Sequence, residues 1–150
     1  MNLYQEVLSK VGLVTSQYDH TIQKSNQIYD IYDPEGKKFG NASASYLYQV
    51  RDWTFFGEVA WSSENAFANL HGLTFYPTAS AGLAMFYRNY DKKYVAIQGY
   101  GLGEASGVQN EEGIYFGLEW LPFKYTQVNL YADFFRFPWM RYGEKAPTDG

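Results

Sequence analysis

The run Ile114–Trp120 alternates strictly between apolar residues and polar or small ones, and this alternation constrains the fold more than any other feature. Its apolar positions are Ile114, Phe116, Leu118 and Trp120, and its other positions are Tyr115, Gly117 and Glu119. A period of two predicts a β-strand with two unlike faces. Aromatic residues make up 20% of the chain and recur in similar runs after residue 43. Such a pattern is typical of an outer-membrane β-barrel, whereas a water-soluble barrel reverses the two faces.

Length and composition narrow the possible classes of protein. The 150 residues fit one domain, or a small barrel of about eight strands with about 9–11 residues each. The formal net charge of −4 provides no basic patch for nucleic acid. Cysteine is absent, which excludes disulfides and thiolate metal sites. No apolar run approaches the roughly 18 residues of a transmembrane helix.

The first residues bear on export. The segment 1–6 lacks the basic and apolar regions of a signal peptide. Because an outer-membrane protein must be exported, we expect the chain to be a mature form or a fragment of a larger barrel.

The sequence predicts a single domain in three parts: an N-terminal segment (1–40), a β-meander or barrel (41–137), and an exit loop or tail (138–150). In the first part, apolar residues recur at helical spacing and Gly12 is a plausible stop, which predicts a short helix. Those apolar residues are Leu3, Val7, Leu8 and Val11. An extra strand through Leu13–Thr15 is the competing interpretation.

Seven strands are predicted from alternation and turn residues. They span 41–51, 54–62, 66–76, 79–90, 94–103, 113–121 and 125–136. Short connections without intervening helices favour an antiparallel up-and-down meander that forms all or part of a transmembrane barrel. An odd number of strands does not close the usual bacterial barrel, so residues 1–40 or further polypeptide must supply the rest. The predicted loops do not alternate between short and long, which leaves the orientation open.

Four predicted strands each carry one charged residue on the parity opposite the apolar side chains. These residues are Glu58, Arg88, Glu119 and Asp133. In a membrane barrel they face a lumen, because a charge facing lipid near the midplane costs about 2–4 kcal/mol. We expect an ion-pair network there. In a soluble barrel the same charges simply face water.

Aromatic residues also crowd the predicted strand ends, which predicts an aromatic girdle at the two membrane surfaces. The predicted girdle contains Trp53, Trp61, Tyr90, Tyr94, Trp120, Tyr125 and Trp139. Lysine is confined to turns, and the charged parity is otherwise rich in small residues. These features favour a membrane barrel. The alternative is a soluble β-barrel that binds a small apolar ligand in its interior.

Four short motifs occur in an order that resembles a known family. They are FFGEVA from Phe55, FYRNY from Phe86, NEEGIYFGL from Asn110 and FRFPWMRY from Phe135. Over residues 40–150 they resemble the barrel region of bacterial outer-membrane proteins that carry an N-terminal helix-hairpin-helix segment. The resemblance implies an outer-membrane location, a barrel larger than this chain, and neither enzymatic activity nor a cofactor. The helix-hairpin-helix segment is not visible here, so no nucleic-acid role carries over.

Candidate catalytic motifs are weak. The glycines of Gly99–Gly103 are not followed by the helix of a dinucleotide site, and we interpret them as a smooth stripe against a neighbouring ring. Two histidines, His20 and His71, do not make a zinc site or a serine-histidine pair. A carboxylate pair drawn from the strand acids would suit a glycosidase, but a lumen ion-pair network is favoured. The polar segment 104–112 lacks calcium-loop spacing. We therefore expect no enzyme, no metal and no cofactor, with membrane lipid and other barrel polypeptide as partners.

Overall fold

The computed structural model describes all residues except 1–5, 24–25, 97–100, 105–106 and 144–145. In β1 it describes the side chains of Lys10, Val11, Leu13, Thr15, Gln17, Thr21 and Ile22. The protein is all-β, an antiparallel meander in which each strand pairs with the next along the chain. The strands are β1 (Glu6–Ile22), β2 (Gly36–Val50), β3 (Trp53–Ser62), β4 (Ala66–Thr78), β5 (Ala81–Tyr90), β6 (Glu111–Phe123), β7 (Thr126–Phe137) and β8 (Thr148–Asp149). Among the described residues the sheet is open, since no pairing joins β1 to β7 or β8.

The N-terminal prediction of a helix is wrong from Glu6 onward, because that segment is strand β1 paired with β2. The competing strand interpretation is the correct one. Val11 and Leu13 lie on one face of β1 and pair with Ala44 and Ala42. Backbone pairing with β2 outweighs the weak helical spacing in so short a segment. The only helical turn among the described residues is a single 3₁₀ turn at Ile28–Asp30.

The predicted strand at 94–103 is also wrong in its described parts. Residues 94–96 and 101–104 are irregular, and they belong to a long connection, residues 91–110, between β5 and β6. We call this connection the inner loop. Tyr94 and Val95 are buried at 5% and 4% exposure, so the local alternation reflects packing onto the sheet and not a strand.

With a strand at residues 6–22 and a loop in place of the predicted strand at 94–103, the connections between successive strands alternate between longer and shorter ones. Two-residue turns join β2 to β3, β4 to β5, and β6 to β7, and we call this side the turn end. Arg51 and Tyr125 adopt positive φ values of 52° and 69° in two of them, as tight hairpin turns require. The opposite side, the loop end, carries the connections 23–35, 91–110 and 138–147 together with the short turn 63–65.

The pairing register sorts the side chains onto two faces, because directly opposed residues of antiparallel strands share a face. One continuous row pairs Leu70 with Glu58 and with Arg88, so these residues lie on the same face. Glu119 pairs with Gly82, and Asp133 pairs with Tyr115, which opposes Phe86. All four strand charges predicted from sequence therefore lie on one face, which we call the charged face. The opposite one is the apolar face.

Candidate functional site

The apolar face is the exposed side of the sheet. Fifteen of its large apolar side chains are between 36% and 87% exposed, and they span every strand from β1 to β7. They are Val11, Leu13, Tyr46, Trp53, Val59, Trp61, Phe67, Leu83, Met85, Tyr87, Phe116, Leu118, Trp120, Leu130 and Phe134. A contiguous apolar patch of this extent is not found on ordinary soluble monomers and marks a surface that contacts something apolar.

The charged face is buried near the loop end. Among the strand residues whose side chains are described, every one that is less than a tenth exposed, apart from glycine, lies on this face: Phe39, Ala60, Ser62, Ala66, Ala68, Arg88, Tyr90, Glu111 and Phe137. Ala60 on β3 and Ala66 and Ala68 on β4 leave room for the rings of Tyr90 and Tyr94. Together these five residues form the core cluster among the described residues. Three of these nine residues are polar or charged, Ser62, Arg88 and Glu111, whereas large apolar side chains are exposed on the opposite face. In a soluble β-protein, large apolar side chains are enclosed.

An ion triad lies near the loop end of the charged face. Arg88 is fully buried and donates from Nε to Glu111 Oε1 at 2.5 Å and from Nη1 to Asp133 Oδ1 at 2.8 Å. Glu111 is also fully buried, and Asp133 is 19% exposed. The triad ties β5 to β6 and β7. Because both carboxylates converge on one guanidinium, each buried charge has a partner.

The inner loop folds down onto this triad. Tyr90 donates its hydroxyl to the carbonyl of Leu102 at 2.9 Å, and the backbone N–H of Glu104 donates to Glu111 Oε1 at 3.0 Å. Burial raises the pKa of the Tyr94 hydroxyl, and the nearby negative charge of Glu58 raises it further. A cavity of about 220 Å³ separates the loop from the sheet and is lined in part by Glu58, Leu70 and Val108. The loop therefore covers the charged face near the loop end.

Glycines make the close contacts around the triad possible. A Cβ on Gly113 would lie 2.7 Å from the Arg88 guanidinium carbon and 3.0 Å from the Phe134 carbonyl oxygen. A Cβ on Gly101 would lie 3.0 Å from the Tyr90 hydroxyl, so a ring does lie against one of the glycines noted at 99–103, although in a loop and not on a strand.

We expect Gly113→Ala to lower the free energy of unfolding by about 1–3 kcal/mol, because the added methyl displaces a guanidinium held by two carboxylates. The control is Gly107→Ala, where a Cβ meets nothing within 4 Å. Urea titrations of both variants measure the difference. Equal stabilities for the two would contradict the packing described for the triad.

The remaining two predicted charges are not part of the triad. Glu119 accepts a hydrogen bond from Gln127 at 2.9 Å near the turn end, and Glu58 is exposed beside the cavity under the inner loop. The structure therefore brings together Arg88 and Asp133 of the four. Glu111 was missed, because the sequence placed it in a polar loop; it is the first residue of β6, and its buried position depends on contacts distant in sequence.

The aromatic residues predicted as a girdle lie in three places. Trp53, Trp61 and Trp120 are exposed on the apolar face near strand ends, where Trp53 stacks on Phe75 at 4.1 Å. Tyr125 is exposed in a turn at the turn end, and Trp139 is half-buried in the connection after β7. Tyr90 and Tyr94 require a correction, since they are buried in the core cluster and do not reach the outer surface. The girdle itself remains a prediction.

A polar row interrupts the apolar face towards the loop end. It pairs Asn69 with Asn89, Asn89 with Glu112, and Glu112 with Arg136. Arg136 donates to Glu112 Oε2 at 2.6 Å and 2.8 Å, and Tyr87 donates its hydroxyl to Glu112 Oε1 at 2.9 Å. This row limits the apolar band on β5 to β7.

The other candidates from the sequence concern histidine and metal binding. His71 lies beside Tyr46, whose hydroxyl is 3.2 Å from Nδ1, and the two rings meet across Gly57. Within the described ranges, no group of three or more His, Cys, Asp or Glu residues is placed to hold a metal ion. The described residues also contain no helix long and apolar enough to span a bilayer.

Comparison with known proteins adds no relative. No protein-family model matches the chain, and no curated protein or solved structure is significantly similar to it.

Proposed function

We propose that this chain forms part of the wall of a bacterial outer-membrane β-barrel, with a structural, scaffolding or transport role and no enzymatic activity. One observation carries the proposal: large apolar side chains are exposed across seven strands, whereas Arg88 and Glu111 are fully buried on the other face. In a membrane barrel, lipid covers the apolar face and a polar interior surrounds the charged face. The resemblance of the four motifs to the helix-hairpin-helix family of outer-membrane proteins agrees with this proposal.

The height of the apolar band suits a bilayer. On β3 it runs from Trp53 to Trp61, eight residues further along the strand. At about 3.4 Å per residue this is about 27 Å of strand, or about 20 Å of thickness at a tilt of ~40°. Outer-membrane barrels carry an apolar band about 25 Å tall. The polar row of Asn89, Glu112 and Arg136 would then lie at the lipid headgroups.

The alternation of connections suggests an orientation. Bacterial outer-membrane barrels have short periplasmic turns and longer extracellular loops. We therefore assign the turn end, with Arg51, Ser80 and Tyr125 in its two-residue turns, to the periplasm. The loop end, with the inner loop, would face outside.

The position of the inner loop favours a structural or scaffolding role over free diffusion through an open pore. It is anchored to the charged face by Tyr90 and Glu111, and it covers the ion triad. A transport role would require the loop to leave this position. The partners of the wall would be membrane lipid and further barrel polypeptide.

The alternative, a soluble barrel with an apolar ligand inside, requires the apolar parity to be enclosed. Leu83, Met85 and Phe116 are instead exposed. The cavity under the inner loop is lined by both Glu58 and apolar residues and is small, so it does not provide the large apolar interior of such a protein.

The membrane proposal is tested by the behaviour of the purified chain with and without detergent. We expect it to aggregate in plain buffer, to be monodisperse in detergent micelles, and to migrate differently on gels when left unheated. A monomer that stays soluble without detergent and does not bind a fluorescent hydrophobic probe on its surface would refute the proposal.

Chemical labelling tests whether the turn end and the loop end lie on opposite sides of the bilayer, and the absence of cysteine makes the labelling specific. Asp52→Cys lies at the turn end and Glu64→Cys at the loop end, and both positions are exposed. In sealed lipid vesicles we expect a membrane-impermeant maleimide to label one position and spare the other until the vesicles are dissolved. Equal labelling of both positions in sealed vesicles would contradict a wall that spans the bilayer.

A further inference from the structure

Among the described residues, the edge of β7 that faces away from β6 is nearly bare. Two residue pairs form its ladder with β8, Arg136 with Asp149 and Phe137 with Thr148. The backbones of Phe135 and Gly150 exchange two further hydrogen bonds of 2.9 Å and 2.8 Å. Towards the turn end, the described residues give the rest of this edge no partner strand.

The Phe135–Gly150 pair fixes which backbone groups remain open. Both bonds of Phe135 point towards the bare edge, and backbone groups alternate sides along a strand. The N–H and C=O groups of Asp133, Tyr131, Asn129 and Gln127 therefore point to the same edge. In lipid, where no water replaces a lost partner, four consecutive open pairs are not tolerated.

The side chains beside this edge define the chemistry of a partner. Leu130 and Phe134 are each 59% exposed on the apolar face, and Tyr131 is 77% exposed on the charged face. A strand laid along β7 must therefore match apolar residues to positions 128, 130, 132 and 134, and polar or small residues to positions 127, 129, 131 and 133. A shift by one residue would reverse both faces.

We propose that the bare edge of β7 is a docking surface for one extended strand, antiparallel to β7, that alternates apolar and polar residues in the register set by the Phe135–Gly150 pair. This rests on the proposed wall function and names the kind of partner that the wall requires. Since β1 and β7 run in the same direction, such a strand is antiparallel to both. It can therefore also pair with the edge of β1 to which the described residues give no partner, and as a continuation of β8 it adds an eighth long strand to β1–β7. Eight is the smallest usual number of strands in a closed membrane barrel.

The experiment fuses a nine-residue strand directly after Gly150. In one variant its apolar residues fall opposite Phe134, Ala132, Leu130 and Val128, and in the control the same residues are displaced by one position. Amide hydrogen exchange is measured in detergent micelles for Asp133, Tyr131, Asn129 and Gln127. We expect the matched strand to slow exchange at these four amides at least tenfold relative to the control, while Phe135 changes little because it is already bonded.

The possible outcomes distinguish the docking of a strand on β7 from the proposed function of the chain as part of a barrel wall. Protection by the matched strand in micelles but not in plain buffer supports both. Protection in plain buffer alone supports the docking edge and counts against the membrane. Equal exchange in the matched and displaced variants overturns the docking proposal, even where the chain still binds lipid through its apolar face.

Discussion

Met85→Arg is expected to destabilise the protein in lipid by about 2–4 kcal/mol. Met85 lies on the apolar face midway along β5, and its side chain is 36% exposed. A cation near the bilayer midplane loses its hydration, whereas the same exposed position in a water-soluble protein would accept it at almost no cost. The stability is measured by urea unfolding in lipid vesicles, with the folded fraction read from unheated gels.

Two further arginine variants test whether the loss of stability depends on the depth of the position in the bilayer and on the face of the sheet. Tyr131→Arg places the same cation at an exposed position on the charged face, and we expect a much smaller loss of stability. Leu130→Arg, its neighbour on the apolar face, lies nearer the turn end and should fall between the two, because the cost of the charge declines towards the membrane surface. If Met85→Arg costs no more than Tyr131→Arg, the apolar face is not in contact with lipid.

Arg88→Met is expected to lower the free energy of unfolding by about 3–5 kcal/mol. It leaves Glu111, which is fully buried, without its charged partner, and a buried unpaired carboxylate is strongly destabilising. The substitution also removes the ion pair between Arg88 and Asp133. It weakens the attachment of the inner loop, because the loop is hydrogen-bonded to Glu111.

The control for this variant is Arg136→Met. Arg136 also pairs with a carboxylate, Glu112, but its side chain is 66% exposed, so water replaces the lost partner and the loss should be much smaller. Adding Glu111→Gln and Asp133→Asn to Arg88→Met removes the unpaired charges, and we expect it to recover part of the stability. Equal losses for Arg88→Met and Arg136→Met would contradict the buried triad.

A strand of this fold is predictable from sequence where its own residues alternate between apolar and polar side chains and turn residues flank it. The predicted ends of the strands corresponding to β2–β7 lie within two residues of the observed ends, except that β2 begins five residues earlier than predicted, at Gly36. Alternation and turn residues are local signals, which is why these strands are predictable. β1 was obscured because Val7 and Val11 have helical spacing by chance, and its strand state depends on pairing with β2. The 94–103 segment alternates like a strand, but Tyr94 and Val95 are buried by packing under the inner loop, which no local pattern reports.

The candidate site is likewise predictable only where its features follow from the pattern of a single strand. Parity alone placed Glu58, Arg88, Glu119 and Asp133 on one face, since parity follows from strand geometry. It did not show which acid partners Arg88, because Glu111 is 23 residues away in the chain and Asp133 is 45. Tyr90 was assigned to the surface because it ends a strand, but the small residues Ala60 and Ala68 on neighbouring strands admit its ring to the core.

The most direct test of the central claim uses the four tryptophans as depth markers. Trp53, Trp61 and Trp120 are exposed on the apolar face near strand ends, whereas Trp139 lies in a loop. Variants that keep one tryptophan each are refolded into vesicles whose lipids carry bromine on the acyl chains near the headgroup. The wall proposal predicts strong quenching of Trp53, Trp61 and Trp120 and little quenching of Trp139. Equal, weak quenching of all four would show that the apolar face does not contact lipid.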